Sequence, residues 1–207
     1  MRKRKIAVIG GAGFIGQSLC RLLSKDNFLL NIDIKKITGQ NIKNVITDIR
    51  NEKRLLKVLK NVEYVFHLGG VSDLNKALNN PKETAEINIV GTINVLNACV
   101  KNKIKKIIFS SSIYSFTEEG GFYKSSKLSA EFFIYEFYKR YNLKFTILRF
   151  GSVYGEGSNY ENGIFKIMHY AIKNKSILFN GSKNTVRRFI NVHDVSILAA
   201  KSILKKY

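Results

Sequence analysis

The sequence has few of the residues that build disulfide scaffolds and metal centres. It holds 2 Cys, 1 Pro and 3 His among 207 residues, and no Trp. Cys20 and Cys99 lie far apart without a C-x-x-C pair, and no histidine stands at ligand spacing. We therefore expect two buried thiols in a reducing compartment and no metal site.

Long apolar runs are also absent. No segment approaches the roughly 18 apolar residues that a membrane span requires. The basic start, residues 1–5, leads into an apolar segment that Gly10, Gly11 and Gly13 interrupt, and no cleavage site of small residues follows. We expect a soluble cytoplasmic protein with neither a secretory signal nor a membrane partner.

Acidic residues are scarce beside basic ones. The chain has 15 Asp and Glu against 35 Lys and Arg, a formal net charge of +20. Such a charge attracts nucleic acid, acidic lipid and phosphorylated metabolites alike. Because the lysines are spread along the sequence rather than gathered on one element with interleaved aromatics, we interpret the charge as a compositional bias and do not expect a nucleic-acid partner.

What the sequence does contain is an alternation of strand and helix patterns. The predicted strands are 5–9, 28–33, 45–47, 62–68, 104–110 and 145–150, and the predicted helices are 14–23, 52–59, 84–101 and 124–141. This alternation is typical of an α/β protein whose parallel sheet is covered by helices on both faces. A chain of this length can bury one sizeable core.

The alternation weakens after residue 150. Residues 151–163 are rich in Gly, Ser, Asn and Glu and predict a loop, followed by a helix near 164–174 and a short strand and helix within 186–204. We therefore predict a nucleotide-binding domain over 1–150 and a smaller, partial substrate lobe over 151–207.

A glycine turn joins the first predicted strand to the first predicted helix. Residues 10–16 read G-G-A-G-F-I-G, so that Gly13 and Gly16 belong both to G-x-G-x-x-G, starting at Gly11, and to G-x-x-G-x-x-G, starting at Gly10. Glycines let the backbone approach a pyrophosphate, and the free N–H groups of the helix face the anion. In this strand-to-helix setting, the turn predicts a dinucleotide site in a doubly wound Rossmann fold.

Two carboxylates accompany the turn. Asp33 ends the second predicted strand, where it can bind the hydroxyls of the adenosine ribose, and this favours NAD over NADP. Lys35 and Lys36 follow directly and keep a 2′-phosphate possible. Asp48 follows the third predicted strand, where it can bind the adenine amino group or serve as a helix N-cap, and both alternatives remain open.

The candidate reactive residues come later in the chain. Ser110, Ser111 and Ser112 end the fifth predicted strand, at the sheet edge where ligands of such folds bind. Tyr123 and Lys127 are four residues apart and so share one face of the next helix. A nearby ammonium should lower the pKa of the Tyr123 phenol, which would act as general acid or base while Ser112 binds the same substrate oxygen.

A second Tyr-x-x-x-Lys pair, Tyr135 and Lys139, occurs in the same predicted helix. Twelve helical residues place it about 18 Å from the first pair, beyond reach of a shared site. We therefore assign the chemistry to Tyr123 and Lys127.

Together these motifs make the chain resemble an extended short-chain dehydrogenase/reductase, and within that class the NAD-dependent epimerase/dehydratase family that acts on nucleotide sugars. The resemblance extends over nearly the whole chain and rests on the glycine turn, Asp33, D-I-R at 48–50, H-L-G-G at 67–70, N-I-V-G-T-I-N at 88–94, the serine run, Y-K-S-S-K at 123–127 and L-R-F-G-S-V-Y-G at 148–155.

The resemblance implies an NAD that takes a hydride from a sugar carbon and later returns it. It further implies that the cofactor is bound by Gly10, Gly13, Phe14, Ile15, Gly16, Asp33, Asp48, Ile49, Leu68, Gly69, Asn88, Tyr123 and Lys127. Ser112, Ser152 and Arg187 would contact the sugar nucleotide. Homodimers would form through the helices 84–101 and 124–141.

Three features depart from the family pattern. The connection from Ser112 to Tyr123 is shorter than the common form, Ser152 replaces the usual Asn, and Arg188 replaces the usual Asp. Members also continue well beyond a segment like 192–204, which predicts a truncated substrate lobe. A dinucleotide-binding module without turnover is therefore the alternative to an enzyme, and a nucleic-acid-binding protein is a third hypothesis that rests on net charge alone.

Overall fold

The centre of the protein is a parallel sheet. The computed structural model describes residues 3–160, 162–177, 184, 186 and 188–203. The six strands are β1 (Lys5–Ile9), β2 (Phe28–Asp33), β3 (Ile42–Ile46), β4 (Tyr64–His67), β5 (Lys106–Ser112) and β6 (Phe145–Phe150). They pair in the order β3-β2-β1-β4-β5-β6, all parallel. The strand order reverses direction between β1 and β4, and the crevice at such a reversal is where ligands of doubly wound folds bind.

Helices cover both faces of this sheet. They are α1 (Phe14–Leu23), α2 (Glu52–Val58), α3 (Leu74–Asn79), α4 (Pro81–Ala85), α5 (Gly91–Lys101), α6 (Gly121–Tyr141), α7 (Gly163–Asn174) and α8 (Val192–Lys201). A π-helical turn, Glu86–Val90, joins α4 to α5, and a 3₁₀ turn, Ile113–Phe116, follows β5. The predicted Rossmann α/β fold is confirmed.

Side-chain alternation along β1 shows why the core has two layers. Ile6 and Val8 pack on the face covered by α1 and α8, whereas Ala7 and Ile9 pack on the face covered by α2, α5 and α6. All four residues are at most 1% exposed. A strand buried on both faces needs a continuous apolar run, and the sequence K-I-A-V-I supplies it.

The segment after residue 150 contains one strand that the sequence analysis does not predict. β7 (Ser152–Tyr154) lies within the predicted loop 151–163 and pairs in parallel with β8 (Phe189–Asn191). The loop prediction is wrong here because three residues, Ser-Val-Tyr, are too short to show a period among glycines. α8 then returns to the main sheet, where Ala199 and Ile203 join the core beside α1.

Other boundaries also differ from prediction. β5 runs to Ser112 rather than Ser110, α6 begins at Gly121 rather than Lys124, and α3 occupies a stretch without a predicted element. The predicted helix 84–101 is one helical path interrupted by the π-helical turn.

Cys20 and Cys99 are both fully buried free thiols, as predicted, and burial raises the pKa of Cys20 to about 12. No helix in the described ranges is long and apolar enough to cross a bilayer. Those same ranges contain no group of three side chains suited to holding a metal ion.

Candidate functional site

The glycine turn has room only for glycine. A Cβ on Gly10 would lie 2.4 Å from the amide nitrogen of Gly69, and one on Gly16 would lie 2.2 Å from the carbonyl oxygen of Gly10. Gly10 also has a φ of 81°, a backbone conformation that side chains disfavour. Gly13 is exposed and begins α1 without a side-chain cap. The first-turn N–H groups are thus free to face an anion, and the turn fits the diphosphate of a dinucleotide.

Asp33 connects the end of β2 to the glycine turn. Its carboxylate accepts hydrogen bonds from the backbone N–H groups of Ala12 at 2.9 Å and Lys35 at 3.0 Å. The structure therefore brings the predicted ribose-binding carboxylate next to the predicted diphosphate-binding turn. Lys35 and Lys36 are exposed beside it.

Asp48 lies beyond β3 and does not cap a helix. Its carboxylate accepts from the Arg50 backbone N–H at 2.8 Å and from the Arg50 guanidinium at 2.7 Å, which holds the Asp48 pKa below its ordinary value. The side chain that caps α2 is Asn51, so the N-cap alternative for Asp48 is wrong. Ile49 is buried against Gly91, where a Cβ would lie 2.6 Å from Ile49 Cγ1.

Leu68 and Gly69 pass directly beside the glycine turn. The Leu68 N–H donates to the carbonyl oxygen of Ile9 at 2.8 Å, and the Gly69 backbone packs against Gly10. This contact places the end of β4 next to the end of β1, as expected for residues that share one ligand.

Asn88 sits in the π-helical turn, and its amide group is bound within the fold. Its Oδ1 accepts from the Val71 N–H at 2.7 Å, and its Nδ2 donates to the Val71 carbonyl at 3.0 Å and to Ser126 Oγ at 2.9 Å. Both amide hydrogens are therefore occupied. Asn88 positions the loop after β4 against α6, the helix that carries Tyr123 and Lys127.

Two of the three predicted substrate contacts, Ser152 and Arg187, come after β6 in the sequence. Ser152 begins β7 and pairs with Phe189 of β8, while Arg187 lies outside the described residues. Phe14 and Ile15, at the start of α1, pack partly buried against the apolar cluster of β7 and α8. The glycine-turn helix thus also supports the small sheet that presents Ser152.

The structure brings Ser112 and Tyr123 together. Ser112 ends β5 with 6% exposure, Tyr123 lies in the first turn of α6 with 9% exposure, and the Ser112 side chain acts to lower the pKa of the Tyr123 phenol. The Ser112 hydroxyl also accepts from the Tyr114 N–H at 3.3 Å, and the Tyr114 ring meets the Tyr123 ring edge-on at 6.3 Å.

Lys127 lies one helical turn beyond Tyr123 and is fully enclosed. Its ammonium donates to the carbonyl oxygen of Ser110 at 2.9 Å and lies 4.9 Å from the centre of the Phe109 ring and 5.9 Å from that of Tyr123. Burial lowers the pKa of Lys127 to about 8, although the Glu131 carboxylate acts in the opposite direction.

The expected low pKa of Tyr123 is not found in the protein without ligands. Burial raises the pKa of Tyr123 above its ordinary value, and the hydrogen bond with Ser112 offsets only part of that increase. The sequence analysis is wrong here because helical spacing gave the distance between Tyr123 and Lys127 but not the desolvation of the phenol, which dominates.

The second Tyr-x-x-x-Lys pair stays outside the site. Tyr135 is 42% exposed, and Lys139 makes a surface ion pair with Glu136 at 2.7 Å. The assignment of the reactive pair to the start of α6 agrees with this geometry.

A buried ionic network beside Ser112 was missed in the sequence. Glu131 is 3% exposed and accepts hydrogen bonds from Ser111, from Ser115 at 3.3 Å and from the Arg149 guanidinium at 3.0 Å. The available signal was helical spacing, since Glu131 lies four residues beyond Lys127 and thus on the same face of α6.

His67 is buried next to this site in a neutral form. The Thr92 hydroxyl donates to the Asn88 carbonyl at 2.6 Å, so His67 Nε2 must donate to Thr92 Oγ1 at 3.0 Å, and Nδ1 has no partner among the described residues. Burial, together with the charge of Lys127, lowers the His67 pKa to about 3.

Similarity to known proteins agrees with this geometry. The curated protein named "Putative UDP-glucose 4-epimerase" of Methanocaldococcus jannaschii is 32% identical over 92% of this chain and 70% of its own length. The UDP-N-acetylglucosamine 4-epimerase of Methanobrevibacter ruminantium, solved with UDP-N-acetylmuramic acid, is 27% identical with a TM-score of 0.90 over 100% of this chain and 75% of its own.

The UDP-glucose 4-epimerase of Thermotoga maritima, solved with UDP-glucose, gives a TM-score of 0.89 at 26% identity over 98% of this chain and 74% of its own. The sequence profile of the NAD dependent epimerase/dehydratase family matches residues 6–205, nearly the full length. With a Rossmann fold, a glycine turn and a Tyr/Lys helix in the corresponding order, the chain belongs to the NAD-dependent epimerase/dehydratase family of nucleotide-sugar enzymes.

Proposed function

We propose that the protein catalyses NAD-dependent epimerisation or dehydration of a nucleotide sugar, with Ser112, Tyr123 and Lys127 as its catalytic residues. The observation that carries this proposal is that Ser112, Tyr123 and Lys127 lie together, all buried, at the sheet edge that also holds the glycine turn. The relatives named as 4-epimerases of UDP-sugars make a UDP-sugar the first substrate to test.

In this proposal Tyr123 moves the proton of the sugar hydroxyl. The phenolate oxygen takes the proton when the carbon bearing that hydroxyl is oxidised, and it returns the proton when the carbonyl is reduced. Ser112 donates a hydrogen bond to the same sugar oxygen and stabilises the negative charge that develops there. Bound NAD would supply the chemistry of accepting a hydride from the sugar carbon and giving it back.

Lys127 has two tasks in this scheme. Its positive charge favours the phenolate form of Tyr123, opposing the burial that raises the phenol's pKa. Its ammonium can also bind a ribose hydroxyl of the cofactor, exchanging the Ser110 carbonyl for that partner. Because the group is buried in a cleft of low polarity, both interactions are stronger than they would be in water.

NAD itself would be held along the strand ends. We assign the diphosphate to the turn of Gly10, Gly13 and Gly16 with the first residues of α1, Phe14 and Ile15. The adenosine would lie against Asp33, Asp48 and Ile49, and the nicotinamide half against Leu68, Gly69, Tyr123 and Lys127, with Asn88 fixing the surrounding loop. The Asp33 carboxylate favours NAD over NADP because a 2′-phosphate would carry the same sign of charge.

The sugar nucleotide would lie between the two parts of the chain. We propose that residues 1–150 bind the cofactor and that residues 151–207 supply the substrate side, with Ser152 and Arg187 as contacts. The protein would work in the cytoplasm, where nucleotide sugars and NAD are available.

We also propose a homodimer formed through α5 and α6. The outer surface of α6 exposes several large apolar side chains, among them Phe132 at 68%, Phe133 at 39% and Tyr135 at 42%. An exposed apolar patch of this kind is typical of an interaction surface. Light scattering after gel filtration should give twice the chain mass, and Phe132→Glu should give the monomer.

The decisive experiment separates cofactor binding from turnover. Purified protein is incubated with NAD and, in turn, UDP-glucose and UDP-N-acetylglucosamine, and products are identified by NMR, while NAD binding is measured by calorimetry. Conversion of a nucleotide sugar that is lost in Tyr123→Phe supports the proposal. NAD binding without conversion of any nucleotide sugar would instead identify a dinucleotide-binding module without turnover.

A further inference from the structure

The two edges of the main sheet carry opposite balances of charge. In a parallel sheet all strands begin at the same edge, which here is the edge opposite the glycine turn. Five segments lead into strands β1, β2, β4, β5 and β6 at that edge: 3–5, 24–27, 59–63, 102–105 and 142–144. These segments, here named the basic edge, contain eight Lys and Arg against only Asp26 and Glu63.

The glycine-turn edge provides the comparison. The connections 47–51, 68–73 and 113–120, which follow strands and lead into helices or turns, contain one basic and four acidic residues; segment 34–41 crosses from one edge to the other and is counted at neither. Both edges are made from the same lysine-rich sequence, so a compositional bias does not explain the difference. Lysines that are far apart along the chain are brought together by the parallel topology.

Hydrogen bonds of the sheet hold the basic edge rigid. The Phe28 N–H donates to the Arg4 carbonyl, and the Ile107 N–H donates to the Lys144 carbonyl, each at 2.9 Å. The Lys105 N–H likewise donates to the Glu63 carbonyl at 2.9 Å. Neighbouring strands lie about 4.8 Å apart, so the backbone positions that carry these cations form a closely spaced row along the edge.

Aromatic rings lie among the cations. The Lys3 ammonium lies 5.5 Å from the centre of the Phe28 ring, and the Lys144 ammonium lies 5.2 Å from that of Tyr138. Phe28 is 56% exposed and Tyr138 is 41% exposed. The surface therefore combines positive charge with exposed aromatic rings. The sequence alone does not show this clustering, because the residues lie far apart along the chain.

Helix ends account for only part of this charge. Cations stabilise the negative ends of helix dipoles, and this accounts for Lys25, Lys60 and Lys103, which follow directly after α1, α2 and α5. Lys3, Arg4 and Lys144 lie outside any helix, and their positions need another explanation.

We propose that the basic edge binds the surface of an anionic membrane, with the glycine-turn edge facing away from the lipid. The connections are short, and the described part of this edge presents no helix or ribbon that could enter a nucleic-acid groove. A flat anionic bilayer requires only exposed cations close to its surface, and interfacial aromatic rings add to the affinity.

Cosedimentation with vesicles tests this proposal on the whole chain. We expect the protein to bind vesicles of phosphatidylcholine mixed with phosphatidylglycerol, to release on addition of salt, and not to bind phosphatidylcholine alone. The triple variant Lys25→Glu, Lys60→Glu and Lys103→Glu should lower the partition coefficient about 100-fold. NAD binding should stay unchanged, because these exposed residues lie at the far edge of the sheet.

The matched control reverses three exposed lysines elsewhere, Lys76→Glu, Lys82→Glu and Lys173→Glu, and gives the same net charge. This control should keep most of the vesicle binding. Equal loss in both triple variants would show that net charge alone attracts the protein and would overturn a directed surface. So would failure of the unaltered protein to bind anionic vesicles, or tighter binding to an oligonucleotide at the same salt concentration.

Discussion

The Glu131 carboxylate of α6 is bound by the Arg149 guanidinium of β6 through two hydrogen bonds, 3.0 Å from Nε to Oε1 and 2.5 Å from Nη2 to Oε2. Ser111, the neighbour of Ser112, donates to the same carboxylate. Glu131→Gln removes the charge that balances Arg149, and we expect the free energy of unfolding to fall by about 2 kcal/mol, measured by urea denaturation.

Glu136→Gln provides the control for that variant. The Glu136–Lys139 pair is two-thirds exposed on both sides, so its loss should change the free energy of unfolding by no more than about 0.5 kcal/mol. Equal effects of the two substitutions would mean that the Glu131 network contributes no more than a surface pair.

Tyr123→Phe removes the phenol hydroxyl and leaves the ring in place. We expect kcat for the nucleotide sugar to fall by about 10²- to 10⁴-fold because proton transfer is lost. NAD affinity, measured by calorimetry, should change little. Tyr135→Phe makes the same chemical change at the other Tyr-x-x-x-Lys pair and should keep full activity; a loss there as large as in Tyr123→Phe would contradict the assignment.

Lys127 should give the reaction an alkaline limit. Burial lowers its pKa to about 8, so the ammonium is present below that pH and is lost as the pH rises through it. If its charge supports the Tyr123 phenolate, kcat/KM should decline above about pH 8. A pH-rate profile checks this, and the decline should disappear in Lys127→Met, whose residual activity is low throughout. A flat profile across this range in the unaltered enzyme would disprove the role of the charge.

His67 should make the fold sensitive to acid. Its pKa of about 3 in the folded protein lies below the ordinary 6.5, so the unfolded chain binds the extra proton between these values. The contribution of His67 to the free energy of unfolding is fully present above pH 6.5 and is lost as the pH falls toward 3. Between pH 7 and pH 5 the free energy of unfolding should therefore fall by about 2 kcal/mol. His67→Gln should reduce that difference in urea denaturation at the two pH values. An unchanged difference would locate the acid sensitivity in other groups.

The sheet was predictable from sequence because its strands are buried on both faces. The apolar run of β1 between a basic start and the glycine turn marks strand, turn and helix without any alignment. β7 was not predictable, because Ser152–Tyr154 is stabilised by pairing with β8, more than thirty residues away. Local sequence does not report such a partner.

The candidate site, like the fold, was predictable from the sequence only in part. Spacing along α6 correctly placed Tyr123 and Lys127 together and kept Tyr135 apart. The direction of the Tyr123 pKa change and the Glu131–Arg149 pair were missed, because both depend on what surrounds a side chain from other elements. Asn88 was predicted to line the cofactor, and only the structure showed that Val71 and Ser126 take its amide hydrogens.

The π-helical turn Glu86–Val90 acts as a spacer of fixed length. Its wider winding accommodates one extra residue, so that Asn88 reaches across to Ser126 while Gly91 still fits tightly against Ile49. Deleting one residue from the turn would rotate α5 by about 100° relative to the residues before it. The Asn88–Ser126 hydrogen bond and the Gly91–Ile49 contact could then no longer form together. Substitution of the exposed Val90 should therefore be tolerated, whereas shortening this stretch would uncouple α5 from α6, the helix that carries Tyr123.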